Sequence, residues 1–126
     1  MSSVDLKKKV LIIEDEVELL TILQIRLSRN NFEVFTASDG NAGLTLANSV
    51  MPDIILLDIM MPGKDGFTLL RELKGNINTC DIPVIVVTAK DKMETTCILE
   101  GAEDFIMKPF DYRQLELKIK ELIKDF

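Results

Sequence analysis

The sequence predicts an α/β domain built on a doubly wound, five-stranded parallel sheet with helices on both faces. Two observations predict it. Short, nearly unbroken apolar runs recur at Val10–Ile13, Ile54–Leu57 and Val84–Val87, as in strands covered on both faces. Between them, apolar residues repeat at intervals of three and four, the spacing of one helical face. Strand and helix therefore alternate along the chain.

Each element has its own local reason. Val10–Ile13 is followed by Val17, Leu20, Leu23 and Leu27, a helical stripe with charged residues between. A weaker strand at Phe32–Thr36 leads to a helix marked by Leu44, Ala47 and Met51 and stopped by Pro52, since proline lacks the N–H that a helix needs. After Ile54–Leu57, the stripe Phe67, Leu70 and Leu73 follows Gly66, and Gly75 closes the turn. The segment Asp91–Glu100 is the weakest helix. Thr95 and Thr96 are β-branched, and Met93, Cys97 and Leu99 make a poor stripe, so this fourth helix is expected to be short or irregular. Phe105–Met107 is the last strand. Leu115, Ile119 and Leu122 mark the last helix, which Asp111 can cap with Gln114 three residues on.

Composition bounds the function. The 126 residues suit a single domain, 1–126, with a core over about 9–123, and 47% of them are hydrophobic. Acidic residues number 21 against 15 basic, a net charge of −6, which argues against direct nucleic-acid binding by this domain and against an anionic membrane surface. The absence of histidine excludes Ser–His–Asp triads and histidine-ligated zinc. Cys80 and Cys97 have no CxxC spacing and read as reduced thiols. Lys7-Lys8-Lys9 precedes an apolar run of four residues, short of the ~7–15 of a signal-peptide core. No stretch approaches the ~18 apolar residues of a membrane span. The expected location is the cytoplasm.

In doubly wound sheets, ligands gather beyond the carboxyl ends of the strands, where the winding reverses. The residues expected there are Glu14 and Asp15, Asp58, Thr88 and Lys108. Crowded carboxylates repel, and a divalent cation relieves them; an all-oxygen set suits Mg²⁺. Acids after the first strand have an alternative explanation in the helix dipole. Asp58 has none, because it ends an apolar strand before Ile59-Met60-Met61-Pro62-Gly63. Lys108 can hold a phosphoryl oxygen or pair with Asp58, and a cis bond to Pro109 would re-aim it. Thr88 either donates its hydroxyl to a phosphoryl oxygen or merely ends its strand. Together these groups suit phosphoryl transfer: Asp58 as acceptor, Mg²⁺ on Asp15 and Asp58, and Thr88 and Lys108 on the phosphoryl group.

The chain from Lys9 to Ile123 resembles a receiver domain of two-component response regulators. The resemblance is carried by Val10-Leu11-Ile12-Ile13-Glu14-Asp15-Glu16, by Pro52-Asp53-Ile54-Ile55-Leu56-Leu57-Asp58-Ile59-Met60-Met61-Pro62 and by Asp65-Gly66. It continues in Pro83-Val84-Ile85-Val86-Val87-Thr88-Ala89, Gly101-Ala102-Glu103-Asp104-Phe105 and Lys108-Pro109-Phe110. It implies the flavodoxin-like strand order 2-1-3-4-5. Asp58 would accept a phosphoryl group from a phosphohistidine of a sensor histidine kinase or histidine phosphotransfer protein. Mg²⁺ would be held by Asp15, Asp58 and the backbone carbonyl of Met60, with Glu14 acting through water. Thr88 and Phe105 would be the switch residues, altering the surface made by helix four, strand five and helix five. Phe105 reads equally as a core aromatic. Lys90 and Met60 occupy positions that tune dephosphorylation in this family. The output partner would be a downstream protein or an attached output domain, and a phosphorylation-dependent homodimer is compatible with the resemblance. The chain departs from the family between Thr88 and Gly101, which is shorter than usual.

Three rivals are weaker. A haloacid-dehalogenase-type phosphatase needs a second acid where Met60 stands, and a flavodoxin-type carrier needs a Ser-, Thr- or Gly-rich loop where Glu14-Asp15-Glu16 stands. A receiver-fold adaptor that works without phosphorylation is the alternative that keeps the fold.

Overall fold

A computed structural model describes residues 7–61, 63, 65–89 and 93–123. Among these residues strand and helix alternate: β1 (Lys8–Ile13), α1 (Val17–Arg29), β2 (Phe32–Ala37), α2 (Gly40–Val50) and β3 (Ile54–Leu57), then α3 (Gly66–Gly75), β4 (Val84–Thr88), α4 (Glu94–Leu99), β5 (Asp104–Met107) and α5 (Tyr112–Ile123). All strand pairs are parallel and the order is β2-β1-β3-β4-β5. This is the expected flavodoxin-like winding, with its reversal between β1 and β3.

The unbroken apolar runs are divided by the pleat, since successive side chains point to opposite faces. Leu11, Ile13, Ile55, Leu57, Val84 and Val86 pack on one face against Ala47 of α2, Leu69, Leu70 and Leu73 of α3, and Cys97 of α4. Val10, Ile12, Ile54, Leu56, Ile85 and Val87 pack on the other against Leu23 and Leu27 of α1 and Leu115 and Ile119 of α5. Each fully buried aliphatic contributes about 1.5–3 kcal/mol. Three of the helices that cover these layers, α2, α3 and α5, begin at aspartates. Asp39 accepts from Ala42 N–H, Asp65 from Phe67 N–H and Asp111 from Arg113 N–H, satisfying amides the helix leaves unpaired.

Two expected stripe residues fall elsewhere. Met51 lies beyond the end of α2 with φ 51° and is half exposed; the residue before a proline is pushed out of the helical region, and Pro52 ends α2 one residue earlier. Val17, the first residue of α1, is 73% exposed. The fourth helix is short, six residues, with Cys97 and Met93 turned inward and Leu99 outward. Lys90 and Pro62 lie outside the described residues. Among the described residues no helix is long and apolar enough to cross a membrane.

Candidate functional site

The parallel ladder continues past the strand ends and fixes the residues beyond them. Glu14 N–H donates to Ala37 O at 3.0 Å, Asp58 N–H to Ile13 O at 3.0 Å, and Lys108 N–H to Thr88 O at 2.8 Å. Glu14, Asp58, Thr88 and Lys108 are thereby set side by side on one rim of the sheet.

Lys108 stands at the centre of this rim. Its Nζ lies 3.0 Å from Asp58 Oδ2, 3.0 Å from Glu14 Oε1 and 2.6 Å from Glu16 Oε1. The peptide bond from Lys108 to Pro109 is cis. Asp58 is 4% exposed; its second oxygen, Oδ1, accepts from Met60 N–H at 2.8 Å. Glu14 is 2% exposed, and its Oε2 accepts from Glu16 N–H at 3.0 Å. Burial pushes the Glu14 carboxyl up to about 7, only partly offset by the Glu16 N–H and Lys108. Burial alone would lower Lys108; the bonds to Glu16, Glu14 and Asp58 outweigh it and raise the ammonium above its usual range.

Among the described residues, carboxylate oxygens of Glu14, Glu16 and Asp58 lie within 4.8 Å of one another. The donors are all hard oxygens, and a cation already fills their focus in the form of the Lys108 ammonium, so the cluster fits a small divalent ion. Asp15, expected as a ligand, is half-buried beside Glu14 and outside this trio. Thr88 is fully buried at the end of β4, opposite Met107 in the β5 register. The Met60 side chain is half exposed, while its backbone N–H is engaged with Asp58. Phe105 is partly buried against the α2–α3–α4 layer.

Glu16 is the site residue that sequence reasoning missed. As an acid one position before a helix it reads as a helix-start residue; its reach to Lys108, 92 positions on, is visible only in three dimensions. A cavity of about 460 Å³ opens beside this pair, walled by Leu19 and Ile22 of α1, Ala89, Phe110 and Tyr112. A larger one, about 720 Å³, lies farther from the acids, between α4 and α5, and includes Thr95, Phe105 and Met107 in its lining.

Residues 10–120 match the family described as response regulator receiver domain. The chain is 40% identical over 120 residues to a probable transcriptional regulator ycf27 of Cyanophora paradoxa, covering 94% of this chain and 49% of that protein. It is 36% identical over 121 residues to the alkaline phosphatase synthesis transcriptional regulatory protein PhoP of Bacillus subtilis, covering 94% and 50%. The chain thus spans about half the length of these curated relatives. Among solved structures, the receiver domain of the sensor histidine kinase PA1611 of Pseudomonas aeruginosa, described with a magnesium ion coordinated in its active-site cleft, superposes with a TM-score of 0.85 at 26% identity, covering 94% of this chain and 98% of that one.

Proposed function

The chain belongs to the response regulator receiver domain family, and from that premise we propose that it is a phosphorylation-dependent switch with Asp58 as the acceptor. The observation that carries this is the setting of Asp58: a buried carboxylate at the end of an apolar strand, with one oxygen on a backbone N–H and the other on a lysine.

In the proposed reaction an Asp58 oxygen attacks the phosphorus of a phosphohistidine, a new O–P bond forms, and the P–N bond breaks as the electron pair returns to the imidazole. The donor would be a sensor histidine kinase or a histidine phosphotransfer protein. Mg²⁺ would be held by Asp15, Asp58 and the Met60 carbonyl, with Glu14 acting through water; when bound, it neutralises charge on the phosphoryl oxygens. The backbone N–H of Met60 keeps Asp58 oriented. The near-complete burial of Glu14 and Asp58 strengthens each electrostatic contact in the site. Lys108 and Thr88 would then contact the phosphoryl oxygens, and Phe105 would follow Thr88, changing the face of α4, β5 and α5. A switch of this kind shifts the balance of two states through its differential contacts with each. The reading places the protein in the cytoplasm, acting on a downstream protein or an attached output domain.

Beryllofluoride, which mimics a phosphoryl group on a carboxylate, tests this directly. Fluorine NMR should show bound fluoroberyllate in the wild type only when Mg²⁺ is present, and none in Asp58→Asn. Equal binding by the variant would refute the assignment.

A further inference from the structure

The Lys108 ammonium is already crowded with acceptors. It donates to Glu16 at 2.6 Å and to Asp58 at 3.0 Å, and Glu14 Oε1 lies 3.0 Å away. A phosphoryl group on Asp58 would be a further acceptor, and Lys108 can turn to it most readily by leaving its least constrained partner. Glu14 is 2% exposed and its second oxygen is tied to the Glu16 N–H. Asp58 carries the incoming group. Glu16 differs from both, because its side chain is 61% exposed and water can replace the ammonium it loses.

The local backbone points the same way. Glu16 occupies the N-cap of α1 in an extended conformation, yet its side chain makes no capping bond. An N-cap side chain ordinarily accepts from an amide in the first turn. Here the carboxylate reaches instead to the end of β5, while its own N–H fixes Glu14. One residue thus holds Lys108 with its side chain and orients the buried acid with its backbone.

We propose that Glu16 is a positioning residue: its carboxylate parks Lys108 in the resting molecule and sets the threshold at which Lys108 engages a phosphoryl group on Asp58. This rests on the reading of Asp58 as acceptor. The parking is weak by design of its exposure, since a solvent-exposed ion pair shifts an equilibrium by about five-fold at most. It delays the switch without blocking it.

Glu16→Gln and Glu16→Asp, compared with wild type, test the proposal. The first removes the charge at equal length, and the second keeps the charge but falls one methylene short of Lys108. At saturating Mg²⁺ both should raise the maximal rate of phosphorylation by acetyl phosphate about two- to five-fold, with KM unchanged in Glu16→Asp. In the metal-free protein, NMR should show the Lys108 ammonium protons exchanging with water faster in both variants. Acceleration in Glu16→Gln alone would mean that charge rather than contact acts, and would overturn the proposal. Identical ammonium exchange in all three chains would overturn the parking itself. A wild type that acquires no phosphoryl group would instead overturn the reading of Asp58, while ammonium exchange still reads the Glu16–Lys108 contact independently.

Discussion

Of the acids around Lys108, Glu14 is the one whose burial, more than the neighbouring charge of Asp58, favours the protonated form. Buried at 2% exposure and beside Asp58, it holds its proton to about 7 rather than 4.5. The consequence for stability has a definite sign. Below about 4.5 both folded and unfolded chains carry the proton and nothing is lost; from there to about 7 only the folded state keeps it, so stability falls as pH rises. The fall is at most about 3 kcal/mol. Urea denaturation of the metal-free protein between these limits should show this decline, and Glu14→Gln should flatten it; a wild-type curve that rises through the same window would contradict the assignment. Lys108→Ala follows from the same geometry. Removing the ammonium takes a competing cation away from Asp58 and Glu14, so Mg²⁺ should bind more tightly by calorimetry, while phosphorylation should no longer change the protein's shape. Weaker Mg²⁺ binding would mean that Lys108 organises the acids rather than competing for them. The two cysteines provide a control. Burial pushes the Cys97 thiol up to about 11, so iodoacetamide should label the half-exposed Cys80 first. Of the site itself, Asp58 was legible because a carboxylate ending an apolar strand has no local explanation, and Lys108 because it follows the last strand at the same end of the sheet. Glu16 was not, since a helix-start acid and a lysine partner look alike in one dimension.

The strands show why some elements are readable and others are not. A run such as Ile54–Leu57 is buried on both faces, so hydrophobicity alone marks it. Replacing Leu56 by alanine should cost about 2–5 kcal/mol in denaturant unfolding, because the site lies between sheet and helices where collapse is restricted. A loss well under 1 kcal/mol would contradict the packing described. Gly66 is readable for another reason: a Cβ there would collide with the backbone of Ile59, so the start of α3 and the loop after Asp58 can approach only without one. Gly66→Ala should therefore weaken beryllofluoride binding as well as stability. Helix α4 was legible only as an uncertainty. Its six residues bury chiefly Cys97, too few to leave a periodic signal, and its far end is tied by Arg71 to Glu100 at 2.6 Å, a contact that leaves no pattern in sequence. Met51 and Val17 misled the stripe reading because apolar residues at helix ends need not face the core.

At the scale of the whole molecule, the winding does the assembling. The reversal between β1 and β3 leaves a cleft at the carboxyl ends of adjacent strands, and four separate segments deliver Glu14, Asp58, Thr88 and Lys108 to it. Two apolar layers hold those strands in register, so the acids stay crowded despite their repulsion. The same sheet connects the cleft to Phe105 and the α4–β5–α5 face, where the larger cavity lies. Under the proposed function, a charge added at the rim would act on that outer surface through this packing. The identity of the acceptor decides whether this rim works as a switch. Incubation with acetyl phosphate and Mg²⁺, followed by peptide mass spectrometry, should find a single base-labile phosphoryl group on Asp58 and none in Asp58→Asn; a phosphoryl group mapped to any other residue, or equal labelling of the variant, would contradict it.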